Sequence, residues 1–249
     1  IFLSEIIGAK PIKGRHINME SLYEYGSRAG FWRIHELFRN YNLPLTIFGV
    51  GMALERNLEI CNEMKKSNYE IASHGWRWID YQNVSRSIEK KHMQKAIMSI
   101  KKIFGKKPVG WYTGRCSTNT LDLVIENGSF LYCSDTYSDD LPYWEIKKNK
   151  KQLMIPYTLD NNDMRFLTNQ GFNSGDQFFN YLKDSFDTLY QEGKDKPKMM
   201  SIGLHCRIIG KPGRIKSLRK FLDYITSLDK VWICKREEIA NYWIKNHNT

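Results

Sequence analysis

The sequence lacks any long apolar run. A helix that spans a bilayer needs about 20 mostly apolar residues in a row. The best candidate, Leu43 to Leu54, is shorter than that and is broken by Pro44, Gly49 and Gly51. The sequence therefore excludes a transmembrane segment and predicts a soluble protein with no membrane partner.

Paired cysteines are also missing. The chain has five cysteines, an odd number, and none of them lies in a CxxC pair. This pattern excludes a disulfide framework and a zinc site built from thiolates. We therefore expect a reducing, cytoplasmic location.

Internal repeats, low-complexity tracts and interdomain linkers are absent as well. The 249 residues are 41% hydrophobic and 26% charged, a composition that excludes a disordered chain. Because α/β barrels of about 200–250 residues commonly form one domain, we predict a single domain over residues 1–249. The chain begins at Ile1 rather than Met, so we expect this domain to be incomplete at its N-terminus.

Positive charge, by contrast, is plentiful. The chain has 38 Lys and Arg against 27 Asp and Glu, a net charge of +11. A nucleic acid, an anionic wall polymer, a membrane surface or a solvated basic shell would each fit this balance. The densest runs, at residues 147–151 and 89–91, lack the interleaved aromatic residues of a base-stacking platform. We interpret the charge as a solvated shell and predict no nucleic-acid partner.

Short apolar runs alternate with longer amphipathic segments along the chain. This alternation predicts parallel strands with crossover helices, either a (β/α) barrel or an open doubly wound sheet. The predicted strands are Leu45–Val50, Glu70–Ser73, Val109–Thr113, Phe130–Cys133, Leu153–Tyr157, Met199–Leu204 and Val231–Cys234. The predicted helices are Gly26–Tyr41, Glu59–Lys66, Ser87–Phe104, Asn119–Asn127, Ser174–Glu192, Arg214–Ser227 and Glu237–Lys245.

Polar side chains follow four of the predicted strands. These are His74, Arg115, Asp135 and His205. In a barrel, such positions meet at the carboxyl ends of the strands, where active sites are built. Two imidazoles, a carboxylate and a guanidinium in one cleft would supply proton transfer and oxyanion stabilisation. The sequence therefore predicts an active site at this rim.

Four blocks of the sequence together resemble a known family. They are Asn18–Arg33 (NMESLYEYGSRAGFWR), Glu70–Ile79 (EIASHGWRWI), Gly110–Arg115 (GWYTGR) and Gly203–Arg214, which contains GLHCR and GKPGR. In this order and at these distances they resemble the polysaccharide deacetylase (NodB-homology) superfamily, and within it the allantoinase branch of urate-catabolism proteins. The resemblance implies a single distorted (β/α) barrel whose first strand precedes residue 1.

The resemblance also bears on whether the protein binds a divalent metal. Members of the superfamily bind a divalent metal through an Asp and two His at positions i and i+4, with a second Asp as base and a late His as acid. His74 matches the first His of the pair and His205 matches the late acid. The i+4 position is Trp78, and an indole has no lone pair for a metal. The acidic pair of the first motif would precede Ile1, so a divalent metal held there with His74 and a water is the disfavoured alternative. We expect no cofactor.

The assignments that follow combine the resemblance with the strand ends. Glu20 and Glu24 lie four residues apart just before the first predicted helix, where either one faces the pocket mouth or both neutralise the helix dipole. We favour Glu24 because it is closer to the turn at Gly26. The predicted catalytic residues are His74, His205 and Glu24. The predicted substrate-binding residues are Trp78, Tyr112, Arg115, Asp135 and Arg207.

Four functions compete. The first is metal-independent opening of a cyclic amide such as allantoin, to allantoate, by hydrolysis of a carbon–nitrogen bond. The second is metal-dependent N-deacetylation of a polysaccharide or peptidoglycan, the third a catalytically dead carbohydrate- or ureide-binding module, and the fourth nucleic-acid binding. Since only the first accounts for Trp78 together with the other polar residues, we rank it first. The expected partner is a cyclic ureide or an N-acetylated sugar, and a homo-oligomer is left open.

Overall fold

A computed structural model describes residues 14–147 and 149–247 of the chain. Backbone contacts divide the chain into two compact units. The first combines Ile1–Asn42 with Thr158–Trp232, and the second combines Leu43–Tyr157 with Ile233–Thr249. No helix in the described part of the chain is long and apolar enough to cross a membrane.

Helices make up much of the described chain. They are α1 (Ile17–Tyr25), α2 (Phe31–Asn40), α3 (Gly51–Glu55), α4 (Leu58–Lys66), α5 (Arg86–Phe104), α6 (Thr120–Asn127), α7 (Gly175–Glu192), α8 (Pro212–Thr226) and α9 (Arg236–Asn246). A π-helical turn, Gly26–Gly30, joins α1 to α2, and a 3₁₀ turn spans Asp163–Leu167.

The second unit is built on a six-stranded sheet. Its strands are β1 (Thr46–Gly49), β2 (Glu70–Ser73), β3 (Gly110–Trp111), β4 (Tyr132–Cys133), β5 (Tyr143–Lys147) and β6 (Lys150–Met154), in the order β1-β2-β3-β4-β6-β5. Every neighbouring pair is parallel except β5 and β6, which form an antiparallel hairpin. This topology confirms the predicted α/β class with parallel strands.

The core of the second unit lies between the sheet and its helices. Met93, Ala96 and Ile97 on α5 pack with Leu123 and Val124 on α6. Trp111, Phe130, Cys133 and Met154 complete this apolar cluster from the sheet and the segment before β4. Four-residue spacing on α5 therefore buries one helix face and leaves its lysines on the other.

The first unit is mainly helical. Helix α2 buries Phe31, Ile34, Leu37 and Phe38 along one stripe, and α7 buries Phe178, Leu182 and Phe186. Helix α7 begins where the Ser174 hydroxyl accepts a hydrogen bond from the Gln177 amide. The single extended pairing outside the sheet is a parallel bridge between Asn162 and Gly203, among the residues that the structure describes.

Several predicted elements need correction. Met199–Leu204 is not a strand, since only Gly203 pairs, and Val231–Cys234 forms no strand. The strand predicted at Leu153–Tyr157 is β6 and lies earlier, and Lys147, Lys150 and Lys151 of the basic run lie in strands β5 and β6. Glu20 and Glu24 lie on α1 rather than before the first helix, because the helical segment begins nine residues earlier than predicted.

Candidate functional site

In the first unit, His205 is held by a buried carboxylate. Its ring Nδ1 lies 2.6 Å from Oδ1 of Asp163, and its backbone amide donates to Oδ2 of Asp163 at 2.8 Å. The amide of Ile209 donates to the same oxygen at 3.0 Å, and Asp163 is fully buried. With the carboxylate ionised, Nδ1 is the donor, so Nε2 is left as the ring nitrogen available for proton transfer.

Backbone pairing brings Asp163 beside His205. The amide of Asp163 donates to the carbonyl of Gly203, and the amide of Gly203 donates to the carbonyl of Asn161. The Asn162 side chain caps the 3₁₀ turn by accepting from the Met164 amide. Residues on either side of the Asn162–Gly203 bridge are therefore fixed in register, which sets the Asp163–His205 distance.

The segment after His205 packs against the π-helical turn. A Cβ at Gly30 would lie 1.9 Å from the carbonyl oxygen of Cys206, and one at Gly26 would lie 3.2 Å from Arg207. Glycine is needed at position 30 because the two backbones approach too closely for any side chain. The π turn thus packs closely against Cys206 and Arg207, the residues that follow His205.

Arg207 and Glu24, both predicted site residues, lie in this unit. The guanidinium carbon of Arg207 is 4.5 Å from the centroid of the Tyr23 ring, a cation–π contact. Glu24 is exposed on α1, and its backbone carbonyl accepts from the Ser27 hydroxyl. Within the described residues, no contact of the Glu24 carboxylate assigns it a chemical task, so its catalytic role stays a prediction.

In the second unit, His74 lies in a group of aromatic rings. Its ring centroid is 5.0 Å from that of Tyr112 and 6.5 Å from that of Phe48. The Tyr157 ring lies tilted against Tyr112, with 4.6 Å between their centroids, and contacts Phe48 edge-on at 5.6 Å. His74 follows β2, and its amide donates to the carbonyl of Gly49. The strand end therefore presents an imidazole among planar apolar surfaces.

Arg115 and Trp78 are also brought together in this unit. The guanidinium carbon of Arg115 lies 4.2 Å from the centroid of the Trp78 ring. The Nη1 atom of Arg115 is buried and has no hydrogen-bond partner in the part of the chain that the structure describes. The backbone carbonyl of Arg115 accepts from the Tyr81 amide at 3.1 Å, which ties the loop bearing Trp78 to the end of β3.

Asp135 follows β4 and closes the turn after β3. Its carboxylate accepts from the amides of Thr113 (2.9 Å) and Gly114 (2.7 Å). Desolvation raises the pKa of Asp135 to about 6, and the two backbone hydrogen bonds oppose this rise. Beside it, the hydroxyls of Tyr112 and Tyr137 lie 3.0 Å apart. Asp135 is therefore a turn-fixing carboxylate that titrates near neutral pH.

The residues present do not fit the zinc site of the wider superfamily. The resemblance matches Trp78 to the second His ligand, and no group of three or more His, Cys, Asp or Glu side chains suited to a metal ion occurs within residues 14–147 and 149–247. A zinc site generally needs three protein ligands besides water. No catalytic step is therefore assigned to a metal.

Three residues that contact the predicted site residues were missed from the sequence. Asp163 lies in a polar run, Asn161-Asn162-Asp163, that resembles an ordinary loop, and only the bridge to Gly203 shows its partner. Phe48 and Tyr157 were assigned to strands without a site role. Their apolar side chains carry no sequence signal that separates a site wall from a core residue.

Comparisons with known proteins identify the family. A family model described as polysaccharide deacetylase matches residues 18–128. The whole chain is 53% identical to PuuE allantoinase, whose chain it covers to 83%, with a TM-score of 0.97. A solved structure from Pseudomonas aeruginosa PAO1 and a protein from Schizosaccharomyces pombe, both provisionally described as polysaccharide deacetylases, are similar too. The former is 55% identical over 100% of this chain and 84% of its own, with a TM-score of 0.96, and the latter is 41% identical over 96% of this chain and 79% of its own.

These similarities extend over nearly the full sequence, and the structural match confirms the predicted (β/α) barrel type of the NodB-homology fold. The chain belongs to the polysaccharide deacetylase (NodB-homology) family, on its allantoinase branch.

Proposed function

We propose that the protein hydrolyses the ring amide of a cyclic ureide, converting allantoin to allantoate, without a catalytic metal. The observation that carries this proposal is the similarity, at 53% identity over the whole chain, to PuuE allantoinase. The replacement of a metal-ligating His by Trp78 and the Asp163–His205 pair support it. The substrate is small, planar and neutral.

The reaction needs water addition and a proton for the leaving nitrogen. The oxygen of water bonds to the ring carbonyl carbon, the carbon–nitrogen bond of the ring breaks, and the products are a carboxylate, a ureido N–H and one released proton. A second carbonyl beside the ring nitrogen spreads its negative charge, which makes it a better leaving group than the nitrogen of an acetamide. Fixed donors can then replace a Lewis acid.

His205 is the proposed proton-transfer group. The ionised Asp163 accepts from Nδ1 and stabilises an imidazolium, so that Nε2 can take a proton and return it to the leaving nitrogen. His74, the other predicted catalytic histidine, lies in the second unit among Phe48, Tyr112 and Tyr157. Its catalytic role stays a prediction.

The decisive experiment runs two substrates side by side with the purified chain, each with and without EDTA. We expect allantoin ring opening that EDTA leaves unchanged, and no acetate from N-acetylated oligosaccharides. Full activity after metal removal, checked by elemental analysis of the same sample, would support the metal-free reading. Ring opening that stops with EDTA and returns with added zinc would overturn it.

Deacetylation of an N-acetylated sugar is the second candidate, because two similar proteins are described as polysaccharide deacetylases. Acetate release that EDTA abolishes, with no ring opening, would establish it instead. No reaction with either substrate would favour a binding module. A cytoplasmic location remains a proposal, and so does assembly into a homo-oligomer.

A further inference from the structure

We propose that Trp78 is a positioning residue for Arg115, and that the guanidinium it holds is the group that binds the developing oxyanion of the ureide ring. This inference rests on the proposed function and deepens it. The sequence analysis placed Trp78 among the predicted substrate-binding residues. The structure instead places the guanidinium of Arg115 over one face of that indole, with 4.2 Å between the guanidinium carbon and the ring centroid.

The stack fixes the plane of the guanidinium. Arginine remains charged at any relevant pH and its planar group stacks well on an aromatic face. This attraction grows when the pair is removed from water, and both Trp78 and Arg115 are half-buried. The Tyr81 amide donates to the carbonyl of Arg115 at 3.1 Å, and this hydrogen bond holds the backbone of Arg115 against the loop that bears Trp78. Backbone and side chain of Arg115 are therefore both held.

One donor of this fixed group remains unused. Nη1 of Arg115 is buried and finds no acceptor within the described residues. A buried N–H without a partner costs folding free energy, and an acceptor supplied by a ligand would offset that cost. Asp135, the carboxylate that closes the same turn, is occupied by the amides of Thr113 and Gly114. The free donor is therefore kept for an oxygen that arrives with the substrate.

The chemistry of the ligand follows from the donor. A fixed, charged N–H selects a carbonyl oxygen that gains negative charge in the reaction, because the hydrogen bond strengthens as charge develops. A five-membered ring with two carbonyls presents such oxygens at fixed angles in one plane. Trp78 thus contributes to the reaction through Arg115, where a His at that position would contribute through a metal.

Three substitutions at position 78 test this role by kinetics. Trp78→Phe keeps an aromatic face under the guanidinium, whereas Trp78→Leu keeps apolar volume without one. We expect Trp78→Leu to lower kcat for allantoin about 10²-fold, the usual effect of losing one oxyanion donor, with a KM change under about 3-fold since ground-state binding is not touched. Trp78→Phe should restore most of kcat. Trp78→His should behave like Trp78→Leu in the presence of EDTA.

Trp144→Leu is the matched control. Trp144 also has a cation above its ring, Nζ of Lys151 at 6.0 Å, and lies on β5 of the same unit. We expect this variant to keep wild-type kcat. Circular dichroism melts on every variant identify any loss of activity that comes from unfolding.

Chemical rescue separates positioning from packing. Arg115→Ala should lose about 10²–10³-fold in kcat, and added guanidinium ion should recover at least about tenfold of it, because the Trp78 face still binds the cation. In the double variant Arg115→Ala with Trp78→Leu, guanidinium should recover nothing.

The possible results distinguish a failure of the positioning role from a failure of the proposed function. Wild-type kcat in Trp78→Leu, or equal rescue of the single and double variants, would overturn the positioning role while leaving ring opening in place. A wild-type protein that opens no ureide ring would overturn the proposed function and this inference with it. A loss confined to KM, with kcat unchanged, would assign Trp78 to a wall for the substrate and contradict the inference.

Discussion

His205 is the residue whose substitution tests the proposed chemistry most directly. We expect His205→Ala to lower kcat for ring opening by about 10²–10⁴-fold, the usual contribution of a general acid or base. His16→Ala is a suitable control, since His16 precedes α1 and makes no side-chain capping bond. Steady-state kinetics on both variants provide the measurement. A wild-type rate in folded His205→Ala would remove this residue from the mechanism.

Asp163 affects both rate and stability. In Asp163→Asn, the carboxamide oxygen can keep the hydrogen bonds from the His205 and Ile209 amides, which now donate to one carboxylate oxygen, while its NH2 faces Nδ1 of His205 and makes Nδ1 the acceptor. We expect a loss of about 1–3 kcal/mol in the free energy of unfolding, because hydrogen bonds to a charged group become neutral ones. We also expect a lower kcat, because an amide does not stabilise the imidazolium. Urea denaturation and steady-state kinetics check the two effects.

Asp135 predicts a pH dependence of stability. Its pKa in the folded chain is about 6, raised from its ordinary value of 3.8 by desolvation. The folded state therefore holds the proton more tightly, so the stabilisation is fully present below 3.8 and is lost as the pH rises through about 6. Asp135→Asn resembles the neutral acid and should become more stable relative to wild type over this range. Denaturant titrations at pH 3.5, 5 and about 7 measure the difference; a constant difference would contradict the raised pKa.

The placement of three predicted site residues after strands could be predicted from the sequence, and other contacts could not. His74, Arg115 and Asp135 each follow a strand, so their positions were predictable from apolar runs that end in polar residues. Asp163 was missed because its partner lies 42 positions away and is reached through one isolated bridge. The Trp78–Arg115 stack was missed because an irregular loop has no periodicity that would set the direction of a side chain.

At the scale of elements, the π-helical turn supports the segment that carries His205. Gly30→Ala would drive a Cβ into the carbonyl of Cys206, which directly follows His205. We expect a loss of about 1–3 kcal/mol in the free energy of unfolding from overpacking, together with a lower kcat because the His205 segment shifts. Thermal melts and kinetics on the same preparation measure both.

Gly128→Ala is the matched control for this effect. Gly128 ends α6 with φ at +68°, and a Cβ there would meet nothing within 4 Å. Its cost should be the conformational penalty alone, about 1–2 kcal/mol, with kcat unchanged. A Gly30→Ala variant that loses stability but keeps kcat would show that the π turn does not position His205.

Elements with a regular pattern were predicted well, and the exceptions have a common cause. Helix α5 and strand β2 match the prediction to within a residue, since their apolar residues recur at helical or strand spacing. The hairpin strand β5 was missed because Lys147 and its basic neighbours look like a solvated loop, although β5 is an edge strand that needs only one buried face. Met199–Leu204 has strand composition, yet only Gly203 finds a pairing partner.

At the scale of the whole molecule, the net charge of +11 gives a test that distinguishes a neutral ureide substrate from an anionic polymer. A neutral ureide is not steered by the field of the protein, whereas an anionic polymer is, by about 10–10³-fold in association rate. We expect kcat/KM for allantoin to change less than about twofold between 0.05 and 0.5 M NaCl, where the Debye length falls from more than about 10 Å to a few Å. A steep fall with salt would indicate an anionic substrate.

The π turn also sets the angular phase of the long helical segment Ile17–Asn40. An α-helix advances about 100° per residue, so Met19, twelve positions before Phe31, would fall about 120° away from it on an unbroken α-helix, at the margin of the stripe that α2 buries. One residue inserted without an added turn leaves eleven effective steps and brings Met19 to within about 20° of Phe31. Met19 is completely buried, and the stripe residues Phe31, Ile34, Leu37 and Phe38 on α2 are buried too. The single inserted residue thus brings Met19 into angular phase with the stripe on α2, from which a helical wheel drawn through the segment would separate it.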